Sequence, residues 1–213
     1  MPVIAIDGPA GAGKSTVARL VARETDLPYL DTGAMYRCVA LRTLRDGVPP
    51  DDAAAVGRIA SSVSIRLEGE NTFLDGEDVS SDIRTPRVAA VVSVIATHSA
   101  VRDAMRRQQQ DWIVSMGGGV VEGRDIGTVV FPDADVKIFL SASPEERARR
   151  RVQQHGGDVN EVARSIDERD RIDSTRADSP LRPAEDAVPV DSTGKTIDEV
   201  VTEIVSIYRS RRA

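Results

Sequence analysis

Apolar positions along the chain follow two alternating patterns. Short, nearly unbroken runs occur at "VIAID" (3–7), "PYLD" (28–31), "VVEGRD" (120–125), "VKIFL" (136–140) and "AVPVD" (187–191), and these read as strands buried on both faces. The segments between them carry helical spacing. Val17, Leu20 and Val21 stand at i, i+3, i+4 in a helix running from Lys14 to about Thr25. Residues 33–47 form a second helix closed by Gly47, and Asp51 caps a third through Ile59. Thr85-Pro86 opens a helix with the stripe Val88, Val91, Val92 and Ile95, and Ser99 starts another toward Gln110. "SPEE" (143–146) reads as a capping box before the arginine-rich "ERARRRVQQ". "HGGD" (155–158) breaks that helix, Asp158 with Glu161 caps the next, and the last helix spans about 197–209. The exception is 64–79, where short alternating segments separated by Glu-Gly and Asp-Gly turns predict small antiparallel strands.

Strand and helix alternate over most of the chain, which predicts a three-layer α/β fold with a parallel sheet and one inserted subdomain. The 213 residues suit a single domain, and aromatic residues are only 3 %, so the core must be built from Val, Ile, Leu and Ala. A net charge of −6 argues against a general nucleic-acid binder. No apolar stretch approaches the roughly 20 residues of a membrane span, and "MPVIAIDG" reads as a first strand and not as a signal peptide. Cys38 is the only cysteine, so no intrachain disulfide can form and a reducing, cytoplasmic setting is expected. With two histidines and one cysteine no zinc-type cluster can be assembled.

The chemistry starts behind the first strand. Gly8, Gly13, Lys14 and Ser15 satisfy G-x-x-x-x-G-K-[ST], between a strand and a helix as the motif requires. Over Gly8, Pro9, Ala10, Gly11, Ala12, Gly13, Lys14, Ser15 and Thr16, small side chains let backbone N–H groups face phosphate oxygens, and the helix N-terminus adds partial positive charge. Lys14 can reach the β and γ phosphates, and Ser15 can ligate Mg²⁺, so a nucleoside triphosphate, ATP, is the expected ligand. "STGKT" (192–196) lacks the upstream glycine, since Pro189 stands there, and reads as a strand-to-helix turn. "SMGGG" (115–119) reads as a plain loop.

A phosphate loop does not by itself name a reaction. The chain has no Asn-Lys-x-Asp guanine reader, and "VVEGRD" departs from the metal-holding strand of a motor ATPase. Only three lysines stand against 25 arginines, and nine of the arginines fall between 147 and 182. Arg147, Arg150 and Arg151 share a helix face at i, i+3, i+4, and Arg169, Asp173 and Arg176 share one at i, i+4, i+7. Joined through "HGGD", they suit a hinged lid at about 145–160 that brings cations to a transferring phosphoryl group and excludes water. The competing reading for Arg149 and Arg164 is a solvated face, with pairs such as Glu145–Arg149 and Glu146–Arg150.

Taken together, "DGPAGAGKST", "LDTGAMYR", "GEDVSSDIR", "EGRDIGTVVFPDADVKIFL" and "ERDRIDSTRADSPL" resemble the bacterial cytidylate kinase family, in order and spacing, over nearly the whole chain. The resemblance implies a nucleoside monophosphate kinase with a five-stranded parallel sheet, a mobile lid and an inserted monophosphate-binding subdomain, here 63–84. It implies transfer of the γ-phosphoryl of ATP to CMP or dCMP with Mg²⁺, by a monomer. By motif position Arg37, Arg124, Arg169 and Arg176 hold the acceptor phosphate and the transferring group. Ser93, Arg102 and Asp125 read the cytosine, Asp173 lies near the sugar, and Tyr36 and Thr32 line the acceptor pocket. Thr32 stands where the family often has serine, and its hydroxyl is kept. Lys14, Arg124, Arg169 and Arg176 are the expected catalytic cations, with Arg150 and Arg151 on the ATP side.

Cytosine offers an N4 donor that an ionised Asp125 accepts, while Arg102 donates to N3 or O2. An acceptor phosphate oxygen is already a nucleophile, so no general base is required, and catalysis reduces to positioning and charge neutralisation. Asp7 and Glu122 are candidates for outer-sphere metal contacts. The competing readings are another small-molecule kinase, of the adenylate or shikimate type, and a regulator that binds ATP without turnover.

Overall fold

The computed structural model describes residues 1–211. In chain order the elements are β1 (Val3–Asp7), α1 (Lys14–Glu24), β2 (Tyr29–Asp31), α2 (Thr32–Arg45), α3 (Ala53–Ser62), β3 (Ile65–Glu68), β4 (Asn71–Leu74), β5 (Glu77–Asp78), α4 (Pro86–Ile95) and α5 (Ser99–Met116). They continue with β6 (Gly119–Gly123), β7 (Val136–Ser141), α6 (Pro144–His155), α7 (Val159–Thr175), β8 (Val188–Asp191) and α8 (Ile197–Ser210). The chain divides into two compact units, one of residues 1–29 and 113–213, the other of residues 30–112.

The main sheet has the order β2-β6-β1-β7-β8. β1 pairs in parallel with both β6 and β7, and β7 with β8. Every residue of β1 and β6 is buried, as expected of strands covered on both faces. One face packs on α1 and α8 through Ile4, Ile6, Val17, Val21, Ile138, Leu140, Val201 and Ile204. From β1 the chain fills β2 and then β6 on one side, and only afterwards β7 and β8 on the other, so the carboxyl end of β1 lies at the topological switch point of this sheet, where α/β folds place their ligands. No single described helix is long and apolar enough to cross a membrane.

In the second unit, β3, β4 and β5 form the antiparallel sheet that the alternation in 64–79 predicts, with Asp75 and Gly76 making the tight turn between β4 and β5. Arg42 and Arg45 of α2 hold it by ion pairs to Asp75 and Glu77.

Five local expectations change, the first being that Asp52, and not Asp51, caps α3 by accepting from the Ala55 amide (2.9 Å). α5 runs on past Gln110 to Met116, and "SMGGG" is therefore a helix end, a turn and the first residue of β6, closed by a bond from the Gly118 N–H to the Ile113 carbonyl (3.1 Å). "SPEE" forms only half of a capping box: Ser143 Oγ accepts from the Glu146 amide, but the Glu146 carboxylate turns to Arg149 and Arg150. The Ser143 amide donates instead to Thr193 Oγ1, and the complete capping box is at Thr196 and Glu199. Arg149 consequently pairs with Glu146 and not with Glu145. Finally, α7 ends at Thr175, so Arg176 leaves the helix with extended backbone instead of continuing its face.

Candidate active site

The loop between β1 and α1 is shaped by what its glycines permit. A Cβ on Gly8 would lie 2.0 Å from the Leu140 carbonyl oxygen of β7, at a φ of 153°. Only glycine lets the backbone pass that close. Lys14 opens α1, is buried, and donates to the Pro9 carbonyl across the loop (2.7 Å). Burial, assisted by the charges of Arg124 and Arg169 and opposed by Glu122 and Asp7, lowers its pKa to about 7. A buried lysine in this state is held for an incoming anion.

Two acids serve the loop. Asp7, the last residue of β1, accepts from the Ile126 and Gly127 amides through its two carboxylate oxygens (2.8 Å each). It thereby fixes the wide turn at 126–130 that follows β6. Burial raises its pKa to about 6 against those two bonds, and the Asp125 charge adds to the rise. Glu122 of β6 accepts from Ser15 Oγ (3.0 Å) and from the Tyr29 hydroxyl. Asp7 is thus occupied by backbone, and Glu122 is the carboxylate beside the expected metal-ligating hydroxyl.

Past the end of β6 the charged side chains converge. Arg124 Nε donates to Asp173 of α7 (2.9 Å), Arg176 Nη1 lies 3.4 Å from the other Asp173 oxygen, and Arg176 Nη2 lies 3.5 Å from Asp125. Arg176 Nε donates to the Ser179 carbonyl (2.8 Å), which fixes the guanidinium plane. Asp173 is buried; burial pushes its pKa up, but Arg124, Arg169 and Arg176 together hold it below the ordinary carboxylate value. Arg169 also acts on the charge of Lys14. The expected catalytic cations Lys14, Arg124, Arg169 and Arg176 therefore form one electrostatic cluster, with Asp125 and Asp173 interleaved. Asp125 is paired with Arg176.

The arginine face expected on α6 is narrower than its spacing implies. Arg147 is buried and donates to the Ala10 carbonyl (3.1 Å) and to Asp170. Arg150 donates to the Ala12 carbonyl (3.3 Å), Ser192 Oγ (2.9 Å) and the Ser192 carbonyl (2.8 Å). Arg151, which shares their face by spacing, is exposed one turn beyond Arg147. Ser192, in the segment read as a plain turn, joins this contact.

In the second unit, Asp31 caps α2 by accepting from the Ala34 amide (2.8 Å) and pairs with Arg37 Nη2 (2.9 Å), which sets the direction of that guanidinium. Thr32 is buried at the first turn. The Arg102 guanidinium lies 5.7 Å from the centre of the Tyr36 ring and donates to the Ala96 carbonyl (3.2 Å). Ser93 is half-buried on α4. Sequence reasoning missed Tyr29, Asp31, Arg147 as a contact of the loop backbone, and Asp170. Of these only Asp31 carried a local signal, as an N-cap ahead of "TGAMYR".

Among known proteins, residues 4–210 match the family model described as cytidylate kinase. The chain is 50% identical to the cytidylate kinase of Pelotomaculum thermopropionicum over 215 residues, covering 96% of this chain and 95% of that one. It is 49% identical to the cytidylate kinase of Mycobacterium leprae over 214 residues, covering 98% and 96%. Solved structures resemble it in fold alone. One is a gluconokinase of Sinorhizobium meliloti (TM-score 0.52, 16% identity, 98% of this chain and 92% of that chain). Another is the protein TT1252 of Thermus thermophilus (TM-score 0.56, 17% identity, 100% and 98%). The phosphate loop with its buried lysine, the interleaved arginines and acids, and this end-to-end similarity together place the chain in the cytidylate kinase family.

Proposed function

We propose that this chain phosphorylates CMP and dCMP from ATP by clamping charge, with no general base. The observation that carries the residue assignment is the cluster of Lys14, Arg124, Arg169 and Arg176 within one compact unit, around a phosphate loop. As a cytidylate kinase the chain transfers a phosphoryl group from ATP to a nucleoside monophosphate. Neither the adenylate- or shikimate-kinase reading nor the non-catalytic regulator is favoured beside the identity to cytidylate kinases.

In this proposal the inward amides of Gly11–Thr16 and Lys14 hold the donor phosphates, while Arg150 braces the loop from behind. Lys14 is positioned to neutralise charge that grows on the β and γ phosphates. Arg124 and Arg176 hold the transferring group, and their present carboxylate partners keep the planar guanidiniums in place before substrate arrives. Arg37 grips the acceptor phosphate, with Thr32 and Tyr36 beside it. Asp125, Ser93 and Arg102 read the base, and Asp173 serves the sugar. The Ser15 hydroxyl and the nearby Glu122 carboxylate are hard oxygen donors of the kind magnesium takes. Among the described residues there is no cluster of three metal-ligating side chains, so Ser15 and the nucleotide phosphates would hold the ion, with Glu122 behind them. Bound there, magnesium would neutralise phosphate charge. We take 63–84 as the monophosphate-binding insert and 145–160 as the lid, and the enzyme as a cytoplasmic monomer without nucleic-acid partners.

The test is an acceptor profile. ADP formation is measured with CMP, dCMP, UMP, AMP and shikimate at saturating ATP and magnesium. CMP and dCMP should exceed the others by at least tenfold in kcat/KM, and a rate of ADP formation that CMP does not raise would sink the assignment.

A further inference from the structure

Asp170 of α7 contacts the phosphate loop but takes no part in the phosphoryl transfer proposed for this site. Asp170 Oδ1 accepts from the Ala10 amide of the phosphate loop (2.9 Å), and its other oxygen accepts from Arg147 of α6. Arg147 in turn donates to the Ala10 carbonyl (3.1 Å), so the N–H and the C=O of one loop residue are both held by a single ion pair. The pair is shielded from water: the Arg147 and Asp170 side chains are 9% and 19% exposed. Space is reserved for it as well, since a Cβ on Gly11 would come within 3.1 Å of Arg147 Cβ and 3.2 Å of its carbonyl oxygen. Asp170 directly follows Arg169, and Asp173 stands three residues on.

We propose that Asp170, with Arg147, is a positioning residue that sets the register between the phosphate loop and α7. By gripping Ala10 from both sides, the pair fixes how far the helix carrying Arg169 and Asp173 stands from the loop carrying Lys14. A charge-assisted bond to a backbone amide is short and directional, so it registers two elements more tightly than apolar packing does. The reacting geometry depends on that register, because misplacement by about 1 Å can cost on the order of a hundredfold in rate. The inference rests on the chain acting as a CMP kinase, and it adds a residue that touches no reacting atom.

The test compares wild type, Asp170→Asn, Arg147→Met and the double variant at saturating ATP and CMP, each normalised to folded protein. Asp170→Asn should lower kcat at least tenfold while the KM for CMP stays within about threefold. The ratio of CMP-independent ATP hydrolysis to phosphoryl transfer should rise at least threefold. That ratio does not depend on how much enzyme is active, so a merely structural role would leave it unchanged. The double variant should be no worse than the poorer single one. Unchanged kinetics, or hydrolysis and transfer falling in proportion, would overturn the inference. Should the variants not fold, amide exchange in the wild type decides: the Ala10 N–H must be protected in the nucleotide-free protein, and free exchange there also overturns it. A wild type without CMP-dependent turnover would refute the kinase reading instead, so the two failures are separable.

Discussion

Lys14 is the residue whose state should change most when nucleotide binds. In the free protein burial and two guanidiniums lower its pKa to about 7. A single phosphate charge about 4 Å from the ammonium contributes roughly 4 kcal/mol at an effective dielectric constant near 20. That is about three pKa units, which returns Lys14 to the region of 10. At pH 8 about one-tenth of the free enzyme carries the charge, and nearly all of the complex does, so binding should take up about 0.9 proton. Because the bound form holds the extra proton, ATP affinity should weaken as pH rises from 7 toward 10, approaching tenfold per unit. Stability moves the other way. The folded pKa lies below the unfolded value near 10.4, so the cost of burying the charge is complete below pH 7 and relieved as pH climbs through the window. Lys14→Met should therefore be more stable than the parent at pH 7, with the gain shrinking toward pH 10.

The assay for Lys14 is direct. The chain has three lysines, so ¹³Cε labelling gives three resonances, and Lys14→Arg identifies the one that matters. That resonance should titrate near 7 in the free protein and near 10 with ATP bound. Calorimetry at pH 8 in buffers of different ionisation enthalpy should report the same proton uptake. A Lys14 signal that titrates near 10 without nucleotide, or a binding heat that does not depend on buffer, would refute the reasoning.

Three further outcomes follow from the geometry. Asp173→Asn leaves Arg124 and Arg176 without their buried carboxylate and should cost about 3 kcal/mol in urea unfolding at pH 7. Because the folded pKa is held below the ordinary value, this contribution is complete above about pH 4 and is lost as pH falls through the folded value, so a difference that does not shrink at all on acidification below pH 4 would count against it. Gly8→Ala drives a Cβ to 2.0 Å from the Leu140 carbonyl and should destabilise by roughly 3 kcal/mol or more; a variant melting within 2 °C of the parent by about the usual scaling would show that the loop yields. Asp125→Asn should lower the CMP-to-UMP ratio of kcat/KM at least tenfold, since the cytosine N4 donor loses its charged acceptor. If both activities fall equally, Asp125 acts only as the partner of Arg176.

Much of the fold could be read from local pattern, because a parallel sheet buried on both faces writes itself as short apolar runs such as "VIAID" and "VKIFL". The phosphate loop was equally legible, since its requirement for small side chains falls within nine consecutive residues. What remained hidden were bonds between distant segments. Asp7 looks like a metal acid at the end of its strand, and its role in holding the amides of Ile126 and Gly127 depends on a pairing of β1 with β6 that no local spacing reveals. The same holds for Tyr29 on Glu122 and for Asp170 on Ala10.

The arginine cluster shows why periodicity alone misleads at a helix end. Arg169, Asp173 and Arg176 have ideal spacing for one face, and the first two do lie on α7. The helix stops at Thr175 because the chain turns back: the Leu181 amide donates to the Asp173 carbonyl (2.8 Å), and Ser179 adopts a positive φ of 52° before Pro180. Arg176 then has extended backbone, and its guanidinium reaches Asp173 and Asp125 from outside the helix. A helical Arg176 would be tied to α7 alone. Held instead by the Ser179 carbonyl and by an acid beyond β6, it is fixed by two segments whose registers are set independently. For a cation that must meet a transferring phosphoryl group, that placement outside the helix is the more restrictive one.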